Sequence, residues 1–293
     1  MTPASPPTID IALARGEAYR CVARACAFPT AAFGEILAQG LWLAVLDDAV
    51  GKLPPEEALL DALAALEIVQ PTLDPAALAR EYTRLFSNTG LTDCPPYGAD
   101  YLTSHIFMRA QSLADVAGFY HAFGVAMGAG TERPDHISAE LEFMGYLCWK
   151  EAYAVEHGLA EALEITRSAQ RRFLEDHLGR WAPCFLDRFE AATTQPFYRA
   201  VAAFAMAFLA IEASWLGVTP EAVQEPPRET SLPGAFLCGD NQGRCPLQLT
   251  TNTSLNRSTR DGDMVQGDPR GSLPPGEGEV FPNPFPPGGG SLS

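Results

Sequence analysis

A histidine flanked by carboxylates lies near the middle of the sequence, in Glu132-Arg-Pro-Asp-His136-Ile-Ser-Ala-Glu140. On a helix, His136 and Glu140 lie one turn apart, with Asp135 beside them at the N-terminal end. A carboxylate next to an imidazole raises the pKa of the histidine, so the segment predicts a helix end whose negative charge faces outward. A structural alternative stays open, in which Asp135 caps the helix and His136 pairs with Glu140.

Aromatic residues gather in a second segment. Glu81-Tyr-Thr-Arg-Leu-Phe86 is followed by Cys94-Pro-Pro-Tyr-Gly98 and Tyr101. Helical spacing places Tyr82, Leu85 and Phe86 on neighbouring positions of one helix, while the double proline holds Tyr97 after Pro96 in an extended approach. Aromatics at helical spacing are typical of a core, but tyrosines beside a rigid Pro-Pro loop also form a wall for an apolar peptide groove.

The sequence lacks the common enzyme signatures. It contains no Gly-x-x-x-x-Gly-Lys phosphate loop, no Gly-x-Gly-x-x-Gly, no His-Glu-x-x-His and no Gly-x-Ser-x-Gly. None of its histidines completes Glu-x-x-His, the helical di-iron motif. Cys238 and Cys245 have six residues between them and no second pair nearby, which favours a structural or incidental role over metal binding. The sequence therefore predicts a protein without catalytic residues, cofactor or metal.

Helical periodicity dominates the first 225 residues. Predicted helices cover about 10–27, 30–48, 55–68, 104–126, 134–157, 159–180, 182–193 and 196–216, with further start signals at Asp74-Pro75 and Thr219-Pro220. Breaks are expected at prolines and glycines, including Pro183. We find no convincing alternation of β-branched residues. The sequence thus predicts an all-α fold, with a single domain of about nine or ten helices over residues 1–225.

Composition changes near residue 225. From 226 to 293 roughly a third of the residues are Pro or Gly, lysine does not occur, and neither a helical nor a strand period is visible. Such a segment buries too little apolar surface to offset the entropy of ordering it. We predict a low-complexity, largely disordered tail over residues 226–293.

The charge of the chain limits its partners. It has 36 Asp+Glu against 20 Lys+Arg, a net charge of -16. Nucleic-acid binding depends on clustered basic residues, so nucleic acid is not an expected partner. The N-terminus resembles no export signal, and the longest apolar run, about 12 residues over 200–211, is shorter than the roughly 20 that a membrane span needs. We expect a cytoplasmic protein without membrane insertion, whose seven cysteines are reduced.

Taken in order, these segments resemble the TorD/DmsD-type chaperones of molybdoenzyme maturation, a family that includes the NarJ-like assembly proteins of nitrate reductase. The matching segments are Glu81-Tyr-x-x-Leu-Phe86, Pro95-Pro-Tyr-Gly98 with Tyr101, Tyr120 with Gly124, and Asp135-His-Ile-x-x-Glu140-Leu-x-Phe-Met144. They span about 65 residues at the centre of the chain. Each motif alone is weak, whereas the ordered set is fairly specific.

The resemblance implies an all-helical, non-catalytic chaperone, a monomer or homodimer. Its partner would be the apo catalytic subunit of one molybdenum oxidoreductase, held for cofactor insertion before twin-arginine export. The residues carried over by motif are Tyr82, Leu85, Phe86, Pro96 and Tyr97 for the apolar part of the client peptide, with Glu132, Asp135, His136 and Glu140 near its basic part. An acidic surface suits a partner that carries an Arg-Arg pair. We expect Asp135 and His136 at the surface, so that alanine there weakens client binding without unfolding.

One loop departs from the family pattern. The family usually has Glu-Pro-x-Asp-His, whereas here the proline comes one place later and Arg133 enters the acidic site. This leaves room for contact with the mature body of the client rather than its signal peptide. Two further hypotheses remain, a structural delta subunit of a mature oxidoreductase complex, and a helical hydrolase that uses Asp135, His136 and Glu140.

Overall fold

The computed structural model describes residues 8–86, 94–103, 106–126, 128 and 132–225. In these ranges the regular structure is helical, apart from an isolated antiparallel bridge between Tyr97 and His136. In chain order the α-helices are α1 (Ile9–Ala25), α2 (Ala31–Ala38), α3 (Leu41–Gly51), α4 (Glu57–Val69), α5 (Pro75–Phe86), α6 (Ala99–Leu102), α7 (Ile106–Ala122), α8 (Ile137–Glu156), α9 (Ala160–Phe173), α10 (Gly179–Ala192) and α11 (Pro196–Leu216). The all-α prediction is confirmed.

Short polar side chains and glycines set several helix ends. Thr8 and Thr30 each accept a hydrogen bond from a backbone N–H in the first turn of α1 and α2, at 3.4 and 3.3 Å. Asp74 accepts from the N–H of Ala76 at 2.9 Å, directly before the proline that begins α5, as its sequence predicts. Gly217 ends α11 with a left-handed φ of 68°.

Several predicted helix boundaries are wrong. Gly40, with a φ of 70°, divides the predicted helix 30–48 into α2 and α3. Pro183 lies inside α10, where it has no N–H to donate to the helix. α9 runs into α10 through a π-helical stretch, Leu174–Leu178, so the described helices form ten continuous segments. Thr219-Pro220 starts no helix, and Pro220 instead lies against Gly179 at the start of α10.

Helix α8 lies at the centre of the core and packs against α1 and α9. Both lines of residues along it are buried: Ile137, Leu141, Met144 and Cys148, and also His136, Glu140, Phe143 and Leu147. The predicted outward-facing acidic margin is therefore wrong, because neighbouring helices cover both sides. Gly16 and Gly145 allow α1 and α8 to approach closely, since a Cβ at Gly145 would lie 3.1 Å from the carbonyl oxygen of Gly16.

A buried ionic network joins four helices. Arg15 on α1 donates to both carboxylate oxygens of Glu212 on α11, each at 2.7 Å. It also donates to Glu151 on α8 at 2.9 Å and to Gln170 on α9 at 3.0 Å. Arg167 completes the network with a bond of 2.8 Å to Glu151. Because Arg15 is 1% exposed, its charge depends on these partners rather than on water.

Helix α11 is, within the described ranges, the one helix long and apolar enough to cross a membrane by length and composition. Its Phe197, Phe204 and Phe208 are buried in the core, and its Glu212 belongs to the ionic network. Such contacts are those of a core helix, which passes the same test of length and composition.

Five cysteines fall within the described residues, and all are buried: Cys21, Cys26, Cys94, Cys148 and Cys184. Burial raises the pKa of Cys21 and of Cys26 to about 12, which keeps both as thiols at neutral pH. The reduced state of the cysteines stays a prediction. Cys238 and Cys245 lie outside the described residues.

The predicted tail 226–293 also lies outside the described residues, and the boundary at 225 stays a prediction. The segment before it lies along α10, where the N–H of Val223 donates to the carbonyl oxygen of Arg180 at 2.8 Å.

We expect that deleting 235–293 leaves a folded, binding-competent core, because the deletion keeps the segment around Val223 that lies along α10. Circular dichroism melting and gel filtration of the truncated protein test this, with a deletion from residue 218 as the comparison that should lower the melting temperature. Loss of solubility or of client binding on deleting 235–293 would contradict the prediction.

Candidate functional site

Two sequence motifs about forty residues apart meet through their backbones. The N–H of Ile137 donates to the carbonyl oxygen of Pro96, and the N–H of Gly98 to that of Asp135, both at 2.9 Å. We call this meeting of residues 96–99 with residues 132–137 the corner. It brings most of the predicted site residues into one connected group.

Asp135 lies inside the corner. It is 1% exposed and accepts from the N–H of Ala99 at 3.0 Å, so it caps α6. Arg133 donates to the same carboxylate at 2.7 and 3.0 Å. The expectation that Asp135 lies at the surface, and the alternative that it caps the helix after His136, are both wrong. Its replacement by alanine would remove bonds on which the corner depends.

His136 is the N-cap of α8 and is also 1% exposed. Its Nδ1 accepts from the N–H of Ser138 at 3.2 Å, and its Nε2 lies 3.5 Å from the hydroxyl oxygen of Tyr82. This pattern fits the neutral tautomer with the proton on Nε2. Burial lowers its pKa to about 4 and outweighs the attraction of Glu132 and Asp135. The predicted rise of its pKa and its surface position are therefore wrong.

Glu140 lies at the inner side of the corner. Its carboxylate accepts from Nε1 of Trp181 on α10 at 3.2 and 3.3 Å, and burial raises its pKa well above the ordinary value. Glu140 therefore neither faces outward nor pairs with the His136 ring, which bonds elsewhere. Gly98 makes this contact possible, since a Cβ there would lie 2.8 Å from Nε1 of Trp181.

The predicted aromatic residues differ in exposure. Tyr82, Leu85 and Pro96 are buried, whereas Phe86 is half-buried. The Tyr82 ring contacts those of Phe86 and Phe28, with centroids 4.6 and 5.5 Å apart. Tyr82 thus joins the aromatic residues of α5 to the corner through His136, while Leu85 belongs to the core.

The outer edge of the corner carries its solvent-facing groups. Tyr97 donates its hydroxyl to the exposed carboxylate of Glu132 at 3.0 Å. The guanidinium of Arg133 lies 4.3 Å from the centroid of the Tyr97 ring, in a cation–π contact. Since Arg133 also pairs with Asp135, the inserted arginine neutralises the buried carboxylate and leaves Glu132 as the outward-facing charge of the corner.

Two residues of this region were missed from the sequence. Trp181 begins an aromatic line on α10 with Phe185 and Phe189, at i, i+4 and i+8, and this spacing is a signal that could have found it. Phe28 is 49% exposed beside Tyr82. No sequence pattern marks an exposed phenylalanine in a loop, because its exposure depends on how the helices pack.

The chain is similar to known proteins over a region that includes the corner. A family model described as nitrate reductase delta subunit matches residues 53–187. The chain is 30% identical over 207 residues to the perchlorate reductase assembly chaperone protein of Dechloromonas aromatica, covering 69% of this chain and 89% of that protein. It is 33% identical over 137 residues to the chlorate reductase assembly chaperone protein of Ideonella dechloratans (43% and 65%), and 28% identical over 163 residues to the chaperone protein TorD of Photobacterium profundum (55% and 73%).

The chain is an all-α protein in which a proline–tyrosine loop pairs with the N-terminus of a central buried helix. The chain belongs to the TorD-type family of molybdoenzyme assembly chaperones, which includes the nitrate reductase delta (NarJ-like) proteins.

The buried His136 predicts a pH dependence of stability. The unfolded histidine titrates near 6.5 and the folded one at about 4, so between these values the unfolded chain binds more protons. Its stabilising contribution is complete above pH 6.5 and is lost as the pH falls through 4, by about 2–3 kcal/mol. Urea unfolding of the wild type and of His136→Asn from pH 7.5 to 4.5 measures this loss.

Asparagine keeps a capping oxygen without titrating, so the difference between the two pH profiles isolates His136. Glu140 titrates in both proteins in the opposite sense, since its raised pKa favours the folded state as the pH falls. Parallel profiles for the two proteins would contradict the prediction.

Proposed function

We propose that the protein is a cytoplasmic assembly chaperone for the catalytic subunit of a molybdenum oxidoreductase, and that it binds the apo subunit before export. The observation that carries this proposal is the 30% identity that extends over 89% of the perchlorate reductase assembly chaperone protein. A similarity over nearly the whole length of that relative supports a shared role rather than one shared motif.

The corner is the proposed site for the client peptide. Phe28, Phe86 and Tyr97 offer apolar surface at its edge, connected through the buried rings of Tyr82 and His136. Glu132 offers an exposed carboxylate beside them. A peptide with arginine next to an apolar run matches both features, because a guanidinium donates to a carboxylate and the run covers aromatic rings.

The buried members of the corner have a positioning role in this proposal. Asp135 and His136 cap α6 and α8, and Glu140 holds Trp181 beneath Gly98. The same burial supports a non-catalytic protein over a hydrolase built on these three residues, since a substrate would have to displace their partners. Hydrolysis of nucleotides or esters by the purified protein, lost on His136→Asn, would support the hydrolase instead.

Glu132→Gln is expected to weaken the binding of an Arg-Arg peptide about tenfold or more. The substitution removes one charge-assisted hydrogen bond, and the exposed position leaves folding intact. Fluorescence anisotropy with a labelled peptide, in which an Arg-Arg pair precedes an apolar run, measures the affinity. Glu161→Gln on α9 is the matched control, because it removes an exposed carboxylate that lies outside the corner. Equal affinity of the two variants would exclude Glu132 from the site.

The client itself is identified by a pull-down of the tagged full-length protein from its own cytoplasm, followed by mass spectrometry, before and after the cells express molybdoenzymes. Recovery of one cofactor-free catalytic subunit with its leader attached supports the chaperone. Recovery of a complete, active complex supports the delta-subunit hypothesis. Recovery of neither would favour the enzyme hypothesis.

A further inference from the structure

Exposed apolar side chains concentrate on α2, α3 and α4. Of the eleven large apolar side chains exposed within the described residues, five lie between residues 36 and 68: Ile36, Leu41, Val45, Leu60 and Ile68. Ile68 is the most exposed of the eleven, at 77%. A concentration of this kind on neighbouring helices is typical of an interaction surface rather than of scattered surface residues.

These side chains follow the helix period on faces that the core does not use. Leu60, Ala64 and Ile68 recur at i, i+4 and i+8 on α4, while Leu63 and Leu66 bury the opposite side toward α11. On α3, Leu41 and Val45 recur at i and i+4, and Trp42 and Leu46 are buried. α3 and α4 are in contact and joined by a five-residue connection, 52–56, and a connection this short is typical of antiparallel neighbours.

Carboxylates accompany these apolar side chains along the chain. Residues 31–70 contain seven Asp and Glu and one basic residue, Lys52, a net charge of -6. Lys52 pairs with Asp48 at 2.6 Å. On α4, Glu57, Asp61 and Glu67 lie within the same exposed arc as Leu60 and Ile68, by the 100° step of a helix. We define the α3–α4 face as Leu41, Val45, Leu60, Ala64 and Ile68 together with Asp48, Glu57, Asp61 and Glu67.

The negative charge of the α3–α4 face indicates which kind of partner can bind there. A second copy of the chain would set the carboxylates of Glu57, Asp61 and Glu67 against the same three carboxylates, which opposes self-association. A helix with aliphatic residues on one side and Lys or Arg at both flanks matches the apolar line and the acidic border together. We propose that the α3–α4 face binds a basic, amphipathic helical segment of a partner protein. It shares no residue with the corner, so it stands independently of the proposed function.

Binding of a defined probe tests the α3–α4 face. The probe is a labelled 18-residue peptide with leucines at helical spacing and lysines at their flanks, compared with a peptide of the same composition in scrambled order. The full-length wild type should bind the ordered peptide at least tenfold more tightly than the scrambled one. Ile68→Lys should remove this preference, whereas Met108→Lys, at a residue that is 56% exposed on α7, should keep it. Glu132→Gln at the corner should also keep it.

Three results would overturn the proposal. Equal affinity for both peptides would show attraction by net charge alone. A preference that survives Ile68→Lys would locate binding elsewhere. A wild type that sediments as a dimer and becomes a monomer on Ile68→Lys would identify a second copy as the occupant. Failure of the Arg-Arg peptide to bind the corner concerns the proposed function and leaves these outcomes unchanged.

Discussion

Arg15→Met is expected to lower the free energy of unfolding by about 3–5 kcal/mol. The methionine fills much of the volume but leaves Glu212 buried without its bidentate partner, and Glu212 is 1% exposed. Glu151 suffers less, because Arg167 and Gln170 still donate to it at 2.8 and 2.9 Å. The cost therefore comes mainly from one uncompensated carboxylate. Equilibrium urea unfolding at pH 7 measures it.

Two further variants test whether the loss of stability comes from the buried Glu212 carboxylate or from any substitution of an arginine on α1. Arg20→Met, on the same helix, removes a pair with Glu17 in which Arg20 is 55% exposed, and should cost no more than about 1 kcal/mol. Adding Glu212→Leu to Arg15→Met should recover a large part of the loss, because it removes the stranded charge. A double variant less stable than Arg15→Met alone would show that packing, not charge, sets the cost.

Gly98→Ala is expected to destabilise the protein by about 2–4 kcal/mol and to weaken binding at the corner. The new Cβ would lie 2.8 Å from Nε1 of Trp181 and 3.2 Å from Oε1 of Glu140. Trp181 is fully buried, so it has no open space into which to move. Either the hydrogen bond to Glu140 breaks or the loop that carries Tyr97 shifts outward.

Thermal melting and Arg-Arg peptide anisotropy of the same sample measure both effects. Gly118→Ala in α7 is the matched control, since its added Cβ would meet no atom within 4 Å apart from its chain neighbours and the backbone of its own helix, and it should stabilise the helix by up to about 1 kcal/mol. A Gly98→Ala protein as stable as the wild type would show that the corner tolerates a wider approach than the structure indicates.

Local signals predicted most of the helices and few of the interruptions. The Asp74-Pro75 start and the apolar spacing along α5 depend on neighbours in sequence, so they were visible without a structure. The sequence predicted a continuous helix through Gly40, where the structure has a break, and a break at Pro183, where the helix continues. A glycine in an alanine- and leucine-rich run is compatible with a helix until its φ is known, and a proline is tolerated wherever the surrounding packing offsets one missing hydrogen bond.

The order of the motifs implied that Tyr82, Tyr97 and His136 lie near one another, and in the structure Tyr82 and Tyr97 each lie against His136. Their role as a binding site stays a prediction, and their depth was not predicted. The burial of His136 and Glu140 was missed. The sequence of α8 shows two neighbouring rows of residues, but it does not show that other helices cover both rows. The Arg15 network was missed for a related reason: its members are single polar residues on four separate helices, and no local pattern joins them.

The Arg15 network also sets an order of events during translation. Arg15 and Glu212 are separated by 197 residues, and Glu151 follows Arg15 by 136. At about 5–20 residues per second, the ribosome needs roughly 10–40 s after Arg15 before it reaches Glu212. Glu151 becomes available earlier, but the bidentate pair with Glu212 can form only once α11 has been made. The network that compensates the buried charge of Arg15 is therefore complete only after α11 has been synthesised.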